Sequence, residues 1–340
     1  MKPARCSRPP DIRLAEWLFE AGIGEDRAVL VADGIIVAAA IELHGTMPAG
    51  SVVAAKLAKV LIPGRRGIAA LADGGEAMIE PLPRGLTEGA AFHAEIVREP
   101  VPEAGRPKPA RVRASDAPLG PGPDLRARIA ATGHPVREAT AGPDRFEAAG
   151  WTELLEEAAT ADIAFAGGAL RMSVTPAMTL FDVDGTLEPA ALAVAGAAAA
   201  ARAILRFDIG GSIGVDLPTV PDRTARQAAA EAVDRILPQP FERTAVNGFG
   251  FLQIVRRRTR ASIPEMLAAD PAGAAARALL RRVERSSGSG PRTIAASPAV
   301  IARMSPAWLA EAERRIGAPL VLRADAALAI SAGHVQAQHP

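Results

Sequence analysis

A single cysteine, Cys6, excludes an intrachain disulfide and any zinc site built on thiolates. Tyrosine is absent and aromatics make up only 4% of the 340 residues, so aliphatic side chains must form the core. Lysine is scarce: Lys2, Lys56, Lys59 and Lys108 are the only ones, and none follows Lys108. Neither sign of charge dominates. A net charge of +1 and a pI of about 8.0 neither demand nor exclude nucleic acid, because a local basic patch binds phosphate on a neutral protein. His44, His93, His134, His334 and His339 show no metal-ligand spacing. Long apolar runs are missing too. The N-terminus, MKPARCSRPPDIRLAEW, is basic without an apolar stretch and does not read as a signal peptide. The alanine run Gly196–Arg202 reads as too short and interrupted to cross a membrane. The expectation is a soluble, cytoplasmic protein with no membrane partner.

The chain is nevertheless 49% hydrophobic with mean hydropathy +0.13, and it is long enough for two or three domains. Much of the apolar content is alanine, which favours helix but contributes little apolar area. Residues 12–46 predict a lead helix and then a hairpin, Ala28–Ala32 and Ile35–Ile41 around Asp33-Gly34. Short strands at Ser51–Leu61, Gly67–Leu71, Ala77–Ile79 and Ala91–Arg98 predict a small barrel, with an OB-fold the natural candidate. A proline-rich turn at Pro100–Pro109 and a loose stretch at Asp116–Asp124 follow. Residues 124–164 read as helical, most clearly from Trp151.

Beyond them come strands Leu170–Val174 and Met178–Val183, a long helix from about Pro189 to Phe207, and strand Ser212–Asp216. Asp222 caps a helix with Ala225, Ala229, Ala232, Val233 and Ile236 on one face. Strands near Thr244–Asn247 and Phe251–Arg256 follow. Asp270-Pro271 opens a helix, and Ser286–Pro291 reads as a flexible linker. The tail reads strand Thr293–Ala296, helices capped by Ser297 and Ser305, and strand Leu320–Arg323. Trp151 and Trp308 sit on helical faces and read as core.

The chemistry concentrates in Met178-Thr-Leu-Phe-Asp182-Val-Asp184-Gly-Thr-Leu187. Met178–Val183, the helix and Ser212–Asp216 form one βαβ unit, whose strands run parallel. Asp182 and Asp216 then end neighbouring strands on the same sheet edge and repel unless a cation lies between them. Oxygen ligands select Mg²⁺ or Mn²⁺, which activates water and neutralises phosphodiester charge. Asp184 is placed to orient Asp182 or a water. Asp182 and Asp184 also match the Asp-x-Asp-Gly-Thr-Leu signature of haloacid-dehalogenase-type phosphatases. That family needs a downstream basic residue, usually lysine, and this chain has no lysine there.

The catalytic half resembles the ribonuclease E/G family instead. The carrying segments are Ala177–Gly185, Leu205-Arg-Phe-Asp-Ile-Gly-Gly-Ser-Ile-Gly-Val-Asp216, Val246–Ser262 and Ala295-Ala-Ser-Pro-Ala-Val300, with Val60–Gly64 and Ile96–Pro100 upstream. The resemblance implies Mg²⁺-dependent endonucleolytic hydrolysis of single-stranded RNA. Asp182 and Asp216 match the two metal ligands, and Asp184 stands where the family has asparagine. The implied fold class is α/β, in α+β multidomain form. It comprises a split RNase H-like scaffold (1–46 and 114–176), an inserted OB-fold RNA-binding barrel (47–113), a mixed α/β catalytic subdomain (177–268) and a small α/β C-terminal domain (269–340). The family's two-cysteine zinc link is replaced by Leu267–Gly273, so neither zinc nor a zinc-linked dimer is expected. The region of its 5′-monophosphate sensor is shortened. Its barrel aromatics are replaced by Ala69, Ala70, Met78 and Ile79. A relative that binds RNA without cutting it remains the alternative of a different class.

Arg256, Arg257, Arg258 and Arg260 form the densest cationic cluster and are the expected RNA-phosphate contacts. On a strand, Arg256, Arg258 and Arg260 would share a face. Arg98 and Lys108, with Arg65 and Arg66, are expected to line the barrel surface, Arg98 and Lys108 as further RNA contacts.

Overall fold

The computed structural model describes residues 14–103, 107–140 and 142–339. Cys6, the basic N-terminus, the first residues of the expected lead helix, residues 104–106 of the proline-rich turn and Pro340 lie outside the described residues. The architecture is mixed α/β and includes a closed five-stranded barrel.

The described chain opens with an antiparallel meander of β1 (Glu16–Ala21), β2 (Glu25–Ala32) and β3 (Ile35–Leu43). The expected lead helix is therefore wrong over residues 16–21. Trp17, Leu18, Phe19 and Glu20 are all buried, so both faces of this segment are covered and pairing with β2 outweighs its helix propensity. The hairpin turn is as expected: Asp33 and Gly34 take φ of 50° and 76°, which a two-residue turn matching strand twist requires.

The chain then leaves this sheet to build the barrel from β4 (Val52–Ile62), β5 (Arg66–Leu71), β6 (Glu76–Ile79), β7 (Ala91–Arg98) and β8 (Ala110–Ala114). The strands close in the order β4-β5-β6-β8-β7 around Leu57, Ala69, Ile79, Ile96 and Val112, with β6 and β8 parallel. After α1 (Leu125–Ala130), β9 (Val136–Glu138) returns to pair parallel with β1. The barrel is thus an insertion within one sheet, ordered β3-β2-β1-β9.

Next come α2 (Arg145–Ala148), α3 (Trp151–Thr160), β10 (Asp162–Phe165), β11 (Gly168–Val174), β12 (Thr179–Gly185), α4 (Pro189–Arg206), β13 (Gly211–Asp216), α5 (Arg223–Asp234), β14 (Phe241–Arg243), β15 (Phe251–Arg256) and α6 (Ile263–Ala269). Residues 124–164 are therefore not wholly helical, and the strand expected at 244–247 lies at 241–243. The six strands form one sheet, β10-β11-β12-β13-β15-β14, in which only β12 and β13 are parallel. One face carries Leu170, Met172, Phe181, Val183, Ile213, Val215, Leu252 and Ile254 and is buried with α4 and α5. Small residues set how closely α4 sits: a Cβ on Gly196 would fall 2.4 Å from Val183. By length and composition α4 could cross a membrane, contrary to the expectation drawn from its alanine run, but half of it is buried here as a core helix.

The last unit contains α7 (Pro271–Arg285), β16 (Ser289–Ala296), α8 (Pro298–Ile301), α9 (Pro306–Ile316), β17 (Leu320–Ala324) and β18 (His334–His339), with sheet order β17-β16-β18. The expected flexible linker is partly strand, since β16 starts at Ser289. A buried ionic network ties α7 to the first hairpin. Arg277, Arg281 and Arg285 stand four residues apart, one stripe of the helix. Arg277 reaches Glu25 (2.6 Å), Arg281 reaches Glu20 (2.8 Å) and Asp144 (2.6 Å), and Arg285 reaches Glu20 (2.7 Å). Arg27, itself buried, lies between Glu20 and Glu25.

Candidate active site

Asp182 and Asp216 are direct register partners on the parallel pair β12–β13. Side chains alternate along a strand. Because Phe181, Val183 and Val215 point into the core, both aspartates project from the opposite, open face, and both are exposed. A row of register partners crosses that face: Asp162, Arg171, Asp182, Asp216, Phe251. Asp216 ends β13 as expected. Asp182 does not end its strand: β12 runs three residues further, held by β11. Asp184 therefore shares the face two residues along, past the end of β13.

Among the described residues, no side-chain hydrogen bond or ion pair engages Asp182, Asp184 or Asp216. Arg171, beside Asp182 in register, pairs instead with Asp162 at 3.6 Å, both side chains about 70% exposed. Neighbouring strands lie roughly 4.8 Å apart, so two unneutralised carboxylates face each other across one strand spacing. That donor set suits a hard divalent cation. No group of three or more His, Cys, Asp or Glu able to hold a metal occurs among the described residues. A cation held by two carboxylates keeps several waters, which is the habit of Mg²⁺ rather than of Ca²⁺ or Zn²⁺.

The arginine cluster is arranged otherwise than expected. β15 ends at Arg256, so Arg256, Arg258 and Arg260 do not share a strand face. Arg256 is in phase with buried Leu252 and Ile254 and donates to the Ile209 carbonyl (2.8 Å); burial lowers its pKa. Arg258 pairs with the buried Glu265, whose other oxygen accepts from Ser262 N–H and Oγ (both 2.8 Å). Arg260 lies between Asp208 (3.4 Å) and Glu99 (3.7 Å) and helps join the barrel to this unit, as does the Glu99 N–H to Thr259 carbonyl bond (2.8 Å). Only Arg257 of the four is exposed and without a side-chain partner among the described residues.

Arg98 and Lys108 lie where the barrel meets the six-stranded sheet. Lys108 pairs with Glu103 and donates to the Pro176 carbonyl in the β11–β12 turn (2.9 Å). Arg98 donates to the Pro109 carbonyl (2.6 Å), and its pKa is lowered by burial and by the like charges of Arg258 and Arg111. Arg65 and Arg66 gather with Arg111 around Glu80. Sequence reasoning missed Arg171, Phe249 and Phe251. The alternation through β11 carried a signal for Arg171. No protein-family model matches the chain, and no curated protein is significantly similar to it.

Proposed function

We propose that the protein is a Mg²⁺-dependent endoribonuclease acting on single-stranded RNA at Asp182 and Asp216. The observation that carries this reading is the direct register of two exposed, unpartnered aspartates on adjacent parallel strands. Two features of the fold support it. The barrel order, first-second-third-fifth-fourth, fits an OB-fold. Its insertion into a sheet of three antiparallel strands and a parallel fourth fits the split RNase H-like scaffold implied by the ribonuclease E/G resemblance.

Asp182 and Asp216 would hold the cation from one side, leaving its outer side open to an RNA strand lying across the sheet. A divalent cation there would supply charge neutralisation for the scissile phosphodiester and lower the pKa of a nearby water. Asp184, two residues along the strand on the same face, would accept hydrogen bonds from water approaching from that side. Arg171 places a positive charge beside the acids, where a phosphate oxygen gains from it. Haloacid-dehalogenase-type chemistry at Asp182 and Asp184 fits less well, because β12 sits mid-sheet in a mostly antiparallel arrangement and no lysine follows.

The test presents p-nitrophenyl phosphate and a labelled RNA to the same preparation. RNA cleavage without monoester turnover is expected. Monoester turnover abolished by Asp182→Asn, with no RNA cut, would transfer the site to phosphatase chemistry. RNA bound but never cut would leave the non-catalytic relative.

The arginine geometry gives a separate expectation. Arg257→Ala should flatten the log–log salt dependence of RNA affinity by about 0.7 per lost phosphate contact. Arg258→Ala should instead lower stability by about 1–3 kcal/mol, because Glu265 is buried and loses its cation. Salt titration in calcium and urea denaturation separate the two effects. Equal salt slopes for wild type and Arg257→Ala would show that this arginine does not touch the backbone.

A further inference from the structure

The loop between β14 and β15 is braced so as to hold one aromatic ring in solvent. Asn247 organises it: its side-chain Oδ1 accepts from the N–H of Phe249 (2.9 Å) and of Phe251 (3.0 Å). The loop is also tied to the residues just after Asp216. Leu217 N–H donates to the Gly250 carbonyl (3.1 Å), and Thr219 Oγ1 donates to the Phe249 carbonyl (3.2 Å). Gly250 has φ of 93°, and a Cβ there would fall 2.1 Å from the Leu217 carbonyl oxygen, so only glycine permits this approach. At the tip of the loop Phe249 is 83% exposed.

The part of the open face that β15 enters from this loop is apolar. Phe251 is the register partner of Asp216, and its ring covers Gly214, where a Cβ would fall 2.6 Å from Phe251 Cζ, 3.0 Å from Leu180 and 3.1 Å from the Met178 sulfur. Phe251 and Leu180 thus lie on the same open face as the two aspartates. A lone exposed apolar side chain is ordinary. A phenylalanine whose loop is braced by these four hydrogen bonds, two of them to the segment leaving Asp216, is not a random surface residue. The outward-facing residues of β5 and β6 in the barrel, Ile68, Ala70, Glu76 and Met78, offer no ring that could do the same work.

We propose that Phe249 is a base-stacking platform, flanked by the Phe251 floor, which holds an unpaired nucleobase while the adjoining phosphodiester lies at Asp182 and Asp216. The proposal rests on the ribonuclease reading and gives the single-strand preference of that site a physical cause. A base can lie on an open ring only if it has left its own stack, so single strands and loops are taken and duplexes are not. Every base has a π-face, so the platform selects strandedness far more than sequence.

The test uses the full chain and a fluorescein-labelled, A/U-rich 12-nucleotide RNA, with calcium replacing magnesium in binding measurements. Phe249→Ala is expected to weaken binding by about 5- to 150-fold, the range of one lost base stack. Its salt slope should stay that of wild type, because no charge is lost. Phe249→Trp should restore affinity, and RNA should quench the indole. A set of RNAs each carrying one abasic nucleotide should reveal a position whose base matters to wild type and not to Phe249→Ala. If Phe249→Ala binds as wild type does and the abasic profiles coincide, the platform is refuted while the ribonuclease reading stands on cleavage. If wild type neither binds nor cuts RNA, both fail together.

Discussion

Glu20→Gln is expected to destabilise the protein by about 3–5 kcal/mol at neutral pH, the cost of breaking one side of a buried ion pair. Glu20 is buried and meets Arg27, Arg281 and Arg285, which join β1–β2 to α7 across more than 250 residues of chain. The glutamine keeps the volume but not the charge, so three arginines lose their shared counter-ion. The effect is pH-dependent. Burial pushes the Glu20 carboxyl up, but Arg27 and Arg281, with hydrogen bonds from Arg285 and Arg281, outweigh it and hold the pKa below its usual 4.5. A lowered carboxylate pKa stabilises the fold above the unfolded-state pKa, and that contribution is lost as pH falls through the folded-state value. Asp144 shifts the same way: burial opposes, and Arg281 with the Glu147 N–H prevails. Wild type should therefore lose stability below about pH 4.5, whereas Glu20→Gln should begin lower and change less. Urea denaturation at pH 7 and in acid checks this. Coincident midpoints at pH 7 would mean that the network is energetically neutral.

That network was invisible in the sequence. Arg277, Arg281 and Arg285 share a helical stripe, but their acidic partners Glu20, Glu25 and Asp144 lie more than 130 residues away in the chain. β1 was hidden for a related reason: Glu16–Ala21 shows no clean alternation because both of its faces are covered, so its strand character comes from β2 and β9. β18 was missed because Gly333–His339 has no local strand signal apart from its pairing with β16. Where the determinants are local, the sequence was readable. Asp222, Asp270 and Ser305 accept from first-turn N–H groups, as their positions predicted. The barrel strands follow their glycine punctuation. Asp182 and Asp216 were legible because one short βαβ crossover fixes both strands. Their shared register could not be read, since it depends on where β13 stops against β12. The spacing of Arg256, Arg258 and Arg260 suggested one face, but β15 ends at Arg256 and the chain then turns each arginine toward a different partner.

Asp182→Asn and Asp216→Asn should each lower Mg²⁺-dependent RNA cleavage on the order of 10³-fold, the equivalent of several kcal/mol of lost transition-state charge stabilisation. Folding should survive, because both side chains are exposed and unpartnered. Without cation the variants should be as stable as wild type or slightly more so, since each removes one of two facing like charges. The cation supplies a readout independent of catalysis. A ligand at 100 times its Kd stabilises the native state by about 2.7 kcal/mol, so saturating Mg²⁺ should raise the melting temperature of wild type. Neither variant should respond. A magnesium-induced rise equal in all three proteins would place the cation elsewhere.

If the Asp182–Asp216 pair holds the cation, this chain cuts RNA only with both aspartates in place. Gel analysis of an internally labelled, A/U-rich single-stranded RNA incubated with wild type and the double variant Asp182→Asn/Asp216→Asn, with Mg²⁺ and with chelator, measures this. Internal cleavage is expected from wild type with Mg²⁺ alone, and intact RNA in the other three lanes. Intact RNA in all four lanes, or equal cutting by wild type and the double variant, would contradict it.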